Sequence, residues 1–131
     1  MATTFQGINP ILVCADIVAE HDCLVRQFGL APGELHRDPA GAVVHGEVRA
    51  GQQVIWLHQQ TAEHQLAAPV SGLPNIGGLV VFVADVDAHY AAAVAAGATV
   101  DGPPVDQPYG QREYGARDVA GHRWWFAQRL G

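Results

Sequence analysis

Val83-Ala84-Asp85-Val86 repeats Cys14-Ala15-Asp16-Ile17, the two aspartates standing 69 residues apart. In both places an apolar, β-branched run leads into an Asp that can cap a helix. Ile8–Cys14 reads as a strand, and Ile17–Phe28 as a helix with Ile17, Cys23, Leu24 and Phe28 mostly on one side and Gly29 as its stop. Leu79–Ala84 reads as the second such strand, followed by a helix over Ala88–Ala96 that Gly97 ends. Asp85 and Asp87 compete as its cap. Two further segments keep the same offset: His45-Gly46 against Tyr114-Gly115, and Trp56-Leu57 against Trp125-Phe126. Agreement of three segments predicts a duplicated strand–helix–strands unit.

Working outward, Ala42–Val48 and Gln53–His58 are strand candidates around a turn at Gly51, and Arg112–Asp118 and His122–Gln128 around a turn at Ala120-Gly121. Asp101–Pro108, broken by Pro103, Pro104 and Pro108, reads as a loop. The chain divides into a module over about 5–60, a connector rich in Pro, Gly and Ser over about 61–76, and a module over about 77–131.

Composition bounds the function. The 131 residues are 49% hydrophobic and 15% charged, which suits one globular domain. With net charge −6 and seven Lys plus Arg, there is no basic cluster for a phosphate backbone, so nucleic acid is not an expected partner. No apolar stretch is long enough to span a bilayer, and the opening MATTFQGINP lacks the pattern of a secretory leader, so a cytoplasmic protein is expected. Cys14 and Cys23 read as small core residues, not as a disulfide. Gly-x-Ser-x-Gly, P-loop, Rossmann, His-x-x-x-His and Cys-x-x-Cys patterns are all missing from the sequence.

The pattern resembles the vicinal oxygen chelate superfamily, which includes glyoxalase I, extradiol dioxygenases and bleomycin-resistance proteins. Its carriers are Val83-Ala-Asp85-Val-Asp87-Ala-His-Tyr90, Ala95-Ala-Gly97-Ala, and Tyr109–Asp118 running into Gly121-His122-Arg-Trp-Trp125-Phe126. The resemblance implies an α+β fold: two tandem βαβββ modules whose mixed sheets curl around a cleft. It also implies four inward positions that hold a divalent metal in the family's metalloenzymes. Carried over, these are Asn9, Trp56, Gly78 and Trp125. Gly78 has no side chain, and an indole offers an N–H but no lone pair. The frame is kept and the metal site is lost, so no metal and no cofactor are expected.

A ligand site is expected instead. Trp56 and Trp125 either sandwich a flat or cationic ligand by stacking and cation–π contact or plug the cleft as core. Asn9 orients the ligand or makes a turn before Pro10. His58 reaches the cleft mouth or is a solvated strand end. Glu47 is an acid or base facing the cleft, or a solvated strand residue. Tyr109, Arg112 and Tyr114 lie in a stretch that borders the cavity in relatives, Arg112 being able to bind a carboxylate or to pair with a surface acid. His45 and Tyr114, as repeat mates, face the shared space or the outer layer. His122 reads as a turn residue, and Trp124, of opposite parity to Trp125, as packing behind the sheet. The resulting expectation is a homodimeric small-molecule binding protein of the drug-sequestering kind. The alternative is an enzyme: a metal-dependent lyase or dioxygenase, or a metal-free acid–base variant.

Overall fold

The computed structural model describes residues 2–131. The first unit runs β1 (Ile11–Cys14), α1 (Ile17–Phe28), β2 (Ala31–Arg37), β3 (Val43–Ala50) and β4 (Gln53–Gln59). The second runs β5 (Gly78–Phe82), α2 (Val86–Ala95), β6 (Thr99–Val100), β7 (Val105–Gln107), β8 (Gln111–Arg117) and β9 (Arg123–Arg129). Each unit is one mixed sheet: β1-β4-β3-β2, and β5-β9-β8-β6 with β7 also on β8. This is the α+β architecture of two mixed sheets that the resemblance implies, and neither sheet closes into a barrel.

The helices form for local reasons. Asp16 and Asp85 accept the backbone N–H of Ala19 and Ala88, each at 3.0 Å. Asp85, not Asp87, is therefore the second cap. Gly29 ends α1 at φ 74°, a left-handed conformation that most residues avoid. Two elements escape the sequence reading. β2 contains Pro32 and Gly33, which a central strand would not tolerate, but it lies at the sheet edge and pairs with β3 through register shifts. In the second unit, Pro103 and Pro104 split the corresponding edge into the short β6 and β7.

The register holds the 69-residue offset in the parallel pairs: Ile11 lies opposite Trp56, and Val80 opposite Trp125. It changes in the hairpins. Glu47 faces Trp56, whereas Gly115 faces Trp125, so β3 and β8 correspond at 68 residues. The cause is the turn. Ala50 pairs directly with Gln53, but Arg117 pairs with Arg123 across five residues. His45 and Tyr114 are therefore not structural mates, and a one-residue slip puts them on opposite faces.

Each sheet has one face covered by helix and one open. The covered faces meet in a single core, where Phe28 at the end of α1 packs on Trp124 and Phe126 of β9, ring centroids 6.1 and 5.1 Å away. Trp124 is fully buried there, as its parity predicts. Cys14 and Cys23 are buried and unpaired. No helix among the described residues is long and apolar enough to cross a membrane.

Candidate functional site

Trp125 shows how the open face of the second sheet is built. Its ring spreads across three strands. A Cβ on Gly78 of β5 would lie 2.6 Å from Cζ3, and one on Gly115 of β8 would lie 3.2 Å from Nε1. The two glycines are thus the floor that lets the indole lie down. Arg123, two residues earlier on the same face, stacks its guanidinium 4.7 Å from the ring centroid and pairs with Asp101 at 3.0 Å. That pairing pulls the Asp101 carboxyl below its usual range. A cavity of about 300 Å³ opens beside the ring, lined by Asp101, Val105, Gln107, Glu113 and Trp125 among others.

The four positions that would seat a metal do not fit one. The space in front of Gly78 is taken by the Trp125 ring, and neither indole has a lone pair to give. Gly78→Ala should lift the ring off the sheet, because the new methyl also meets the Arg123 carbonyl oxygen at 2.8 Å. The expected result is a changed Trp125 emission and near-UV circular dichroism with the helices intact.

Trp56 occupies the matching place on the first sheet and is 38% exposed. Its cross-strand neighbour is Glu47, and the His45 ring meets it edge-on at 5.7 Å. Glu47 Oε1 stands 3.8 Å from His45 Nε2. His58 lies opposite His45 on the same open face. Asn9 is exposed just before β1. Within one chain the structure does not bring the two indoles to one cavity, since the space beside Trp125 is lined by second-unit residues alone.

Three expected site residues lie elsewhere. Arg112 points to the helix-covered side, held by Asp87 at 3.0 Å and Asp106 at 3.1 Å, so its charge is already neutralised. Tyr114 is buried, because the residues of β8 alternate and its parity is that of the core. Its hydroxyl donates to His89 Nδ1 at 2.7 Å, while His89 Nε2 donates to the Phe28 carbonyl at 2.8 Å. Burial holds His89 below its usual range, in keeping with a neutral ring. Tyr109 sits on the exposed turn before β8 with its hydroxyl on Glu113.

The sequence reading missed a second cavity and a buried ionic cluster. The cavity, about 530 Å³, runs between the units along the free edge of β5 and is mainly apolar, with Phe28, Leu30, Ile55, Leu79, Val81 and Phe126 in its wall. The cluster joins the units. His122 Nδ1 lies 2.8 Å from Glu20 Oε2 and 2.9 Å from Asp118 Oδ2, and its Nε2 donates to the Val13 carbonyl at 2.8 Å. Trp124 Nε1 adds a bond to Asp118 Oδ2 at 2.8 Å. With both ring nitrogens donating, His122 is an imidazolium. Burial opposes that charge, but the Asp118 and Glu20 carboxylates outweigh it and hold the ring up to about 10. Burial lifts Glu20 to about 7 despite His122, and its Oε1 has no partner among the described residues. The three side chains are close enough to be metal ligands, yet the histidine proton already fills the space between the carboxylates. Glu20 and His89 share one repeat position, and each reaches toward the other unit. That symmetry is the signal that would have found them.

The chain matches the family model described as Glyoxalase/Bleomycin resistance protein/Dioxygenase superfamily over residues 8–126. No curated protein matches it. Among solved structures, TioX from Micromonospora sp. ML1 is 31% identical, with 96% of this chain and 98% of that one covered and a TM-score of 0.71. The bleomycin-binding protein from bleomycin-producing Streptomyces verticillus, complexed with copper(II)-bleomycin, is 23% identical, with 99% of each chain covered and a TM-score of 0.65. Lactoylglutathione lyase from Agrobacterium tumefaciens is 20% identical, with 96% of each covered and a TM-score of 0.68; at these last two identities the likeness is one of fold. By the match to its family model over nearly its whole length, and by its paired βαβββ units, the chain belongs to the glyoxalase/bleomycin resistance protein/dioxygenase superfamily, the vicinal oxygen chelate group.

Proposed function

We propose that the protein binds and sequesters a small aromatic or cationic molecule, without bond chemistry, as a cytoplasmic homodimer. The observation that carries this reading is Trp125, laid over Gly78 and Gly115 where the family's metalloenzymes need ligands. A flat indole backed by peptide is a stacking platform, and its other face now carries the Arg123 guanidinium, which a ligand would replace. Arg123 already sits on it as a cation would, which makes cationic planar ligands the best match.

The second copy follows from the faces. Ile11 and Trp56 on one open face, and Val80 and Phe82 on the other, are all more than a third exposed. Adjacent exposed apolar groups of this kind mark an interaction surface. A partner that brings its Trp56 face over this chain's Trp125 face would cover both and create the two-indole cleft that one chain lacks. A neighbour of the same fold is a bleomycin-binding protein, which supports a binding role and leaves the ligand of this chain to be found; a role in antibiotic resistance is part of the same proposal.

The test is a fluorescence titration with planar aromatic cations, alongside sedimentation to read the oligomer. Trp124 is sealed in the core and supplies a constant background. Saturable quenching by a dimer is expected. Unresponsive emission, together with metal-dependent turnover of a hemithioacetal or a catechol, would overturn the reading in favour of an enzyme.

A further inference from the structure

Four of the seven histidines, His36, His45, His58 and His64, stand in one line on the open side of the first sheet. Three come from neighbouring strands in direct register, His36 opposite His45 and His45 opposite His58, with ring centroids 5.5 and 6.2 Å apart. His64, from the connector, continues the line 5.0 Å from His58 at an interplanar angle of 81°.

In each of the last two rings Nδ1 is engaged by a neighbouring oxygen. His58 Nδ1 lies 2.8 Å from the Gln59 carbonyl oxygen, which can only accept. The proton is therefore on Nδ1 and the lone pair on Nε2. His64 Nδ1 lies 2.9 Å from Thr61 Oγ1, which engages that nitrogen and leaves Nε2 with no hydrogen-bond partner among the described residues. Imidazoles that ligate metals are held in this manner, the rear N–H tied to an oxygen and the front nitrogen left open.

The spacing agrees. With metal–nitrogen bonds of about 2.0–2.1 Å and the ring centre about 1.1 Å beyond, two imidazoles on a tetrahedral ion have centroids about 5 Å apart. His45 is the next imidazole in the row, its ring centroid 6.2 Å from that of His58, and Glu47 and Glu34 add negative charge along the line, 3.8 Å from His45 Nε2 and 3.4 Å from His36 Nε2.

We propose that His58 and His64 chelate a divalent transition-metal ion through Nε2, with His45 as third ligand, on the open face beside Trp56. Imidazole donors select ions such as Ni²⁺, Cu²⁺ or Zn²⁺ over Mg²⁺ or Ca²⁺. The site uses none of Asn9, Trp56, Gly78 or Trp125, and it is separate from the buried Glu20–Asp118–His122 cluster. It does not depend on the sequestration reading.

The experiment is calorimetric titration of tag-free protein with Ni²⁺ alone and with Zn²⁺ alone, no aromatic compound being present. One ion per chain is expected, and His58→Ala and His64→Ala should each weaken binding at least about ten-fold. His36→Ala, at the far end of the line, should change it less than about two-fold. All three side chains are at or near the surface, so the variants should keep the parent melting temperature. Unchanged affinity in both His58→Ala and His64→Ala, or no saturable binding below about 1 mM, the weak end of specific association, overturns the proposal. Either result leaves the fluorescence titration of the tryptophans unaffected, so the two readings fail separately.

Discussion

Replacing His122 by alanine should lower stability by about 3–5 kcal/mol, the usual cost of removing one partner from a buried ion pair. The imidazolium separates two carboxylates with no exposed side-chain surface, Glu20 and Asp118, and its other nitrogen satisfies the Val13 carbonyl. Without it, two buried acids face each other across an unfilled space and the carbonyl loses its donor. For a chain of this length, thermal unfolding should move down by about 10 °C or more. Glu20→Gln is the contrasting variant. It keeps the shape and removes one charge, so its loss should be much smaller.

The same cluster sets a pH dependence with a defined sign. His122 is raised from an ordinary 6.5 to about 10, so its stabilisation is complete below 6.5 and is lost as pH rises toward 10. Glu20 is raised from 4.5 to about 7, so the folded state holds its proton longer, and stability again falls as pH climbs between those values. Asp118 is lowered from 3.8, and its contribution disappears only in stronger acid. The melting temperature should therefore peak near about pH 4–5 and decline continuously toward pH 10. Glu20→Gln should flatten the section below pH 6.5 and leave the alkaline decline. A melting temperature that rises from pH 5 to pH 9 would show that His122 is neutral in the fold.

These effects could not be read from the chain. Periodicity and capping expose the repeat because they are local: Asp16 and Asp85 announce the helices, and Gly29 ends the first. The alternation along β9 likewise separates Trp124 in the core from Trp125 on the open face. His122 looks like a turn residue because, locally, it is one. Its charge comes from Glu20, 102 residues away in sequence. Tyr114 is not the structural mate of His45 for a different reason. The β8–β9 turn spans five residues where the β3–β4 turn spans two, and nothing in the strand sequences records that the pairing slips by one. Gly78 was legible as a missing ligand, but not as the floor under an indole, since that depends on the Trp125 side chain crossing from the neighbouring strand. The histidine line has the same character: His36, His45 and His58 are unremarkable at their sequence spacing and become a row only through strand register.

Trp125→Ala and Trp56→Ala should each weaken binding of a planar cation by about 1–3 kcal/mol, a loss of roughly 5- to 150-fold, through lost stacking and lost apolar contact. The way the two losses combine separates two arrangements. If both indoles contact one ligand across a dimer cleft, either truncation opens the sandwich to water, and the double variant should lose less than the sum. If each indole forms its own weak site, the stoichiometry should halve in each single variant while the remaining affinity stays as before. Trp125→Ala also frees Arg123, whose guanidinium now rests on the ring, although its pairing with Asp101 should persist. The packing lost over Gly78 and Gly115 should lower the melting temperature of that variant, so binding is compared well below it, whereas Trp56→Ala should change it less from its more exposed position. Retention of full affinity in both variants would move the ligand off the two indoles, and the apolar cavity along β5 is then the next place to test.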